Sequence, residues 1–115
     1  MRVLVVDDSF TVREYYRAVL KDVAEVDEAV NGFEALEKAF VESYDLFLVD
    51  VNMPKMDGYH LTEELRQNGV DRPIIMISTE REDQDRKKGL SRGATLYLVK
   101  PVRPEQLQFF VRLLG

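Results

Sequence analysis

The sequence predicts an α/β fold, a single domain with a five-stranded parallel sheet and helices on both faces. Three observations predict it. Four short apolar runs, Val3–Val6, Leu46–Val49, Ile74–Ile77 and Leu96–Val99, show no alternation with polar residues, which suits strands buried on both faces. Helical periodicity fills the stretches between them. The chain of 115 residues carries no linker, low-complexity tract or internal repeat, so it reads as one unit near the common domain size.

In chain order, Val3–Val6 is the first strand. Ser9 is a candidate N-cap for a helix carrying Val12, Tyr15, Tyr16 and Val19 at spacings of three and four. A weaker strand follows near Ala24–Ala29, where Val26 lies between Glu25 and Asp27; charges of this kind keep an edge strand from pairing with other chains. Asn31 opens a second helix, with Phe33, Leu36 and Phe40 on roughly one face. After Leu46–Val49, Asp57 or Gly58 opens a third helix with Leu61 and Leu65, ending at Asn68-Gly69. The segment Arg81–Arg92 between the last two runs is mostly charged, has Leu90 as its one large apolar anchor, and contains Gly89, so a short or mobile helix is expected there. A final helix follows Pro104, with Leu107, Phe110, Val111 and Leu114 on the core side and Phe109 and Leu113 on the other.

Composition narrows the function. There is no cysteine, which excludes disulfides, thiolate catalysis and cysteine-based zinc sites. The single histidine, His60, excludes any site needing two and reads as a surface residue. A formal net charge of −5 argues against direct nucleic-acid binding. No apolar run approaches the roughly 18 residues of a membrane span, and the apolar run after Met1-Arg2 is short for a signal peptide, so the expected protein is soluble and cytoplasmic.

Right-handed crossovers place the C-terminal ends of all the strands on one edge, where α/β sheets bind ligands. The first strand ends in Asp7-Asp8, the third in Asp50 followed by Val51-Asn52-Met53-Pro54, the fourth in Ser78-Thr79 and the fifth in Lys100-Pro101. Each has an ordinary explanation alone: an Asp caps helices, a Ser caps them too, and Lys-Pro is a solvated turn. Together they are different. Were strands one and three neighbours, Asp7, Asp8 and Asp50 would crowd one pocket and repel unless a cation sat among them. Hard oxygen ligands suit Mg²⁺, which binds one or two carboxylates and a phosphate while keeping waters.

These residues resemble the receiver domain of two-component response regulators, especially the stand-alone chemotaxis type. The resemblance covers the whole chain through VLVVDDS at 3–9, NGFEAL at 31–36, DLFLVDVNMPKMDGYHL at 45–61, PIIMIST at 73–79 and GATLYLVKP at 93–101. It implies a doubly wound, flavodoxin-like sheet of order 2-1-3-4-5, and residues 1–115 as one receiver domain with no output module in this chain. It implies Asp50 as phosphoacceptor from a phosphohistidine on a sensor histidine kinase or phosphotransfer protein. Mg²⁺ (or Mn²⁺) is then held by Asp8, Asp50 and the backbone carbonyl of Asn52, with Asp7 acting through water. Lys100 is expected to pair with the phosphoryl group, in a cis Lys100-Pro101 turn. The Ser78 hydroxyl would move toward the phosphoryl group, leaving space for Tyr97 to turn inward. An unidentified target would dock on the fourth helix, fifth strand and fifth helix, with Phe109 and Leu113 contributing. A monomer or a weak phosphorylation-dependent dimer is expected, catalysing only its own phosphoryl transfer and dephosphorylation. Ser78 stands where the family more often has Thr, and Gly89 where it more often has Ala.

Other classes fit less well. A haloacid-dehalogenase-type phosphatase also uses an Asp after a strand and Mg²⁺, but its second Asp is a general acid/base, a role that Asn52 cannot fill. A flavin or nucleotide binder needs a phosphate-cradling loop after strand one, where Asp7-Asp8 stands. A receiver that folds without being phosphorylated would not need Asp7, Asp8, Asp50, Ser78 and Lys100 together.

Overall fold

The computed structural model describes residues 1–115. The elements run β1 (Arg2–Val6), α1 (Phe10–Leu20), β2 (Glu25–Ala29), α2 (Gly32–Val41), β3 (Leu46–Asp50), α3 (Gly58–Gln67), β4 (Ile74–Ser78), α4 (Asp83–Ser91), β5 (Leu96–Val99) and α5 (Pro104–Leu114). The five strands form one parallel sheet in the order β2-β1-β3-β4-β5.

Strand alternation sorts the core into two layers. Val3, Val5, Leu46, Leu48, Ile75 and Ile77 point to one face, where Tyr16 and Leu20 of α1 and Leu107 and Val111 of α5 cover them. Leu4, Val6, Phe47, Val49 and Ile74 point to the other, under Ala35 of α2 and Leu61 and Leu65 of α3. A smaller cluster of Val51, Tyr59, Met76, Ala94 and Tyr97 continues that layer beneath α4. Covering both faces is why the central strands are apolar without interruption.

The helix caps follow the local chemistry. Ser9 Oγ accepts the Val12 N–H at 3.3 Å, Asn31 Oδ1 the Glu34 N–H at 2.8 Å and Asp57 Oδ1 the His60 N–H at 2.8 Å. Pro104 opens α5 at a position where no intrahelical N–H is needed. At the far end of α5, Phe109 and Leu113 are exposed (58% and 65%), as expected.

The structure corrects one expectation, the Leu90 anchor, and adds to two others. Phe33 and Phe40 do not face the core. They are 51% and 62% exposed, and α2 is seated through Gly32 and Ala35, with Leu36 half-buried. Small residues bring α2 close to the sheet and turn its large ones outward. In α4, the shortest helix, Leu90 is likewise not the anchor; it is exposed, and the one buried residue is Gly89. The charges of β2 do more than guard an edge. Glu28 accepts from Arg13 and Arg17 of α1, and Asp27 from Lys38 of α2 and the Tyr44 hydroxyl.

Candidate functional site

The pairing of β1 with β3 sets Val6 beside Val49, so Asp7 and Asp50 emerge side by side. Asp7, Asp8 and Asp50 each bring a carboxylate oxygen to within 4.8 Å of the others. Asp7 and Asp50 are buried and Asp8 is exposed. Just after β5, Lys100 reaches back to place Nζ 3.0 Å from Asp50 Oδ1 and 3.7 Å from Asp7 Oδ2. The Lys100-Pro101 peptide is cis.

Helix α3 forms the floor behind Asp50. A Cβ on Gly58 would lie 2.5 Å from the Asp50 carbonyl oxygen and 2.7 Å from Val51 Cα. Only glycine lets α3 begin that close to the end of β3, and the Gly58 N–H donates to the Val51 carbonyl at 2.9 Å. The pattern Asp57-Gly58 is therefore a cap followed by a close approach.

Electrostatically the crevice is under-compensated. Burial pushes the Asp7 carboxyl above its ordinary range, opposed by the Ser9 N–H, at 2.9 Å from Oδ1, and by Lys100. Asp7 Oδ2 is buried with no hydrogen-bond donor. Burial, and then the charge of Asp7, push Asp50 up as well, with Lys100 opposing. One ammonium thus serves two buried carboxylates. An oxygen-only donor set with an orphaned oxygen is chemistry that a hard divalent cation such as Mg²⁺ satisfies, and these residues fit it.

The remaining predicted residues lie around this crevice. Ser78 is fully buried at the end of β4, and its Oγ accepts the Glu80 N–H at 2.9 Å. Tyr97 is already inward, 2% exposed, donating its hydroxyl to the Glu80 carbonyl at 2.9 Å. Asn52 is exposed, and its side-chain amide donates to Thr79 Oγ1 at 3.2 Å, bridging the β3 and β4 ends. His60 is exposed, 3.4 Å from Glu64, and outside the crevice. Beside Lys100 a cleft of about 650 Å³ opens between α1 and the start of α5, lined by Val12, Tyr15, Tyr16, Thr79 and Val102 among others.

Arg13 adds to the site beyond the residues expected from the sequence. Its guanidinium is buried, donating to the Asp7 carbonyl at 2.8 Å and to Glu28 Oε1 at 2.9 Å. The signal was available: Arg13 shares the helical phase of Tyr16 and Leu20, the buried residues of α1. A cation in an apolar stripe needs a partner.

Fold and site together define a doubly wound α/β domain with an acidic, lysine-bearing crevice at the carboxyl edge of its sheet. The chain belongs to the response regulator receiver domain family, whose model matches residues 3–112. It is 38% identical to the sensor protein EvgS of Escherichia coli over 109 residues, covering 94% of this chain and 9% of that protein. Chemotaxis protein CheY4 of Vibrio cholerae superposes with a TM-score of 0.93 at 37% identity, over 99% of this chain and 98% of that one. The response regulator TrrA of Thermotoga maritima, solved in complex with Mg²⁺-BeF, superposes with a TM-score of 0.88 at 33% identity, over 99% of this chain and 98% of that one. The chain spans 46% to 51% of the length of transcriptional regulators it also matches. As a receiver domain it is part of two-component signalling, in which receivers interact with histidine kinases or phosphotransfer proteins. No helix is long and apolar enough to cross a membrane.

Proposed function

We propose that this chain is switched by phosphorylation of Asp50. The observation that carries the reading is the pairing of Asp50 with Lys100 at 3.0 Å inside a buried carboxylate cluster that leaves one oxygen of Asp7 without a donor. An Asp50 carboxylate oxygen attacks the phosphorus of a phosphohistidine. The P–N bond breaks, its electron pair returns to the imidazole, and a P–O bond forms to give an acyl phosphate. Asp8, Asp50 and the backbone carbonyl of Asn52 would hold Mg²⁺, with Asp7 acting through water. The cation supplies neutralisation of phosphoryl charge in the transition state. Lys100 leaves Asp50 and pairs with a phosphoryl oxygen. The Ser78 hydroxyl leaves the Glu80 N–H and donates to another.

Glu80 is the element that feels this change. Its N–H holds Ser78 and its carbonyl holds Tyr97. Release of Ser78 therefore shifts the loop before α4 and the anchor of the Tyr97 ring together. The partner face of α4, β5 and α5 changes with them, and the free energy comes from the phosphoryl group binding one conformer better.

Incubation with Mg²⁺ and acetyl phosphate, read by intact mass, tests the reading. The expected result is one phosphoryl adduct that is lost in Asp50→Asn. Rapid multiple turnover without an adduct would mean a hydrolytic enzyme instead. An adduct that survives Asp50→Asn places the acceptor elsewhere.

A further inference from the structure

We infer that Gly89 is a positioning residue for Tyr97: by lacking a side chain, it forms the seat that holds the Tyr97 ring inside the domain. The inference deepens the phosphorylation reading and rests on it for its functional consequence.

Gly89 is the one buried residue of α4. It is not one of the positive-φ glycines, which are Gly69 and Gly93, so its backbone does not call for glycine. Space does. A Cβ at Gly89 would lie 2.8 Å from Cδ2 of the Tyr97 ring and 3.0 Å from Met76 Sδ. The first distance is well inside carbon–carbon contact, so something must shift. Met76 is fully enclosed in β4. Tyr97 lies on β5, an edge strand, and so its ring has a way out past the edge of the sheet. A glycine in a helix that already lacks apolar anchors weakens that helix. Its compensation is the ring it admits.

A second observation separates the ring from Ser78. In one and the same structure Ser78 Oγ is turned to the Glu80 N–H, and Tyr97 is inward with its hydroxyl on the Glu80 carbonyl. The inward ring therefore does not wait for Ser78 to turn toward Asp50. Ser78 also lacks the γ-methyl of threonine and crowds its surroundings less. Beside the hydroxyl's bond to the Glu80 carbonyl, the ring is fixed by the surface it packs on, which includes Gly89, Met76 and Tyr59. The seat on α4 thus contributes to the resting equilibrium of the switch, together with the Glu80 anchor. A phosphoryl group that favours the inward ring has correspondingly less population left to shift.

The test is Gly89→Ala in protein labelled with 3-fluorotyrosine, with the Tyr97→Phe spectrum assigning the Tyr97 resonance. In the unmodified chain the Tyr97 ¹⁹F signal is expected to ignore exchange of H₂O for D₂O. In Gly89→Ala it is expected to gain a solvent shift. At fixed Mg²⁺ and acetyl phosphate the phosphorylated fraction should fall several-fold, while the Mg²⁺ titration midpoint stays put. In a Tyr97→Ala background, Gly89→Ala should cause no further fall and should melt at least as high as Tyr97→Ala alone. A Tyr97 signal that stays protected in Gly89→Ala overturns the inference. So does a lower melting temperature for the double variant than for Tyr97→Ala, a result that can be read even where Gly89→Ala is too unstable for NMR. The spectroscopic and melting arms use no phosphodonor. Absence of any adduct in the unmodified chain would therefore sink the phosphorylation reading and leave the seat tested on its own.

Discussion

Asp7 carries the local cost of the crevice. Its Oδ1 is used by the Ser9 N–H, but Oδ2 is buried without a donor and shares its space with Asp50. Asp7→Asn keeps the acceptor for Ser9 and replaces the orphaned oxygen with an amide that can donate to Asp50. At neutral pH the metal-free variant is expected to be more stable than the parent chain by on the order of 1 kcal/mol, the scale of relieving one buried like-charge contact. Adding Mg²⁺ should raise the melting temperature of the parent chain and leave that of the variant nearly unchanged. Calorimetric melts with and without Mg²⁺ check both halves, and equal Mg²⁺ stabilisation of the two proteins would refute the assignment of Asp7 to the cation site. Single residues could be read from the sequence only in part. Asp50 and Ser78 end strands, Asp7, Asp8 and Lys100 follow within two residues of one, and the strand ends were visible as the ends of apolar runs. Arg13 sits in mid-helix, and what it does depends on the Asp7 carbonyl and on Glu28 of another element.

At the scale of elements, a clamp between α1 and β2 helps to fix the Asp7 backbone. Glu28 takes Arg13 on one carboxylate oxygen and Arg17 on the other, and Arg13 in turn holds the Asp7 carbonyl. The hydrogen bond from Arg17 and then that from Arg13 hold the Glu28 carboxyl below its usual range, with burial opposing. A depressed folded pKa means the clamp's contribution is present above the unfolded value and is lost as pH falls through the folded one. Glu28→Gln should therefore cost roughly 1–3 kcal/mol at pH 7, because it leaves the Arg13 guanidinium poorly paired. The difference from the parent chain should close as the pH is lowered below the ordinary carboxylate range. Denaturant unfolding across pH measures it, and a gap independent of pH would show that the clamp contributes packing and not charge. Elements were legible to different depths for a physical reason. Strands covered on both faces announce themselves by composition, and the caps at Ser9, Asn31 and Asp57 follow from side-chain chemistry alone. Helix faces were less secure. α2 and α4 are seated through Gly32, Ala35 and Gly89, and a helix that docks through small residues hides its inner face from a search for large ones.

For the molecule as a whole, charge and exposed apolar surface divide the labour. Of the formal net charge of −5, part is concentrated where Asp7, Asp8 and Asp50 converge, so acidity here reflects the site as well as solubility. At the C-terminal helix, Phe109 and Leu113 lie exposed beside Glu105, Gln108 and Arg112, forming an apolar spot with a polar rim on α5. The core side of that helix is satisfied by Leu107 and Val111, so Phe109 and Leu113 are not needed to hold it down. A chain that signals through binding needs a surface of this kind, and α5 belongs to the face that the Glu80 loop and Tyr97 would remodel. The double substitution Phe109→Ser, Leu113→Ser should leave unfolding stability within about 0.5 kcal/mol, as for surface changes that disturb no buried feature. It should also leave phosphoryl uptake from acetyl phosphate unchanged, since Asp50 and Lys100 are untouched. What it should lose is association: any phosphorylation-dependent self-association seen by sedimentation in the parent chain, or binding to a histidine kinase or target titrated against it, should weaken at least tenfold, the loss of about 1.4 kcal/mol expected when an apolar anchor leaves an interface. A folded, phosphorylatable double variant that binds as the parent does would place the partner surface elsewhere, and the exposed Phe33 and Phe40 of α2 would be the next residues to change.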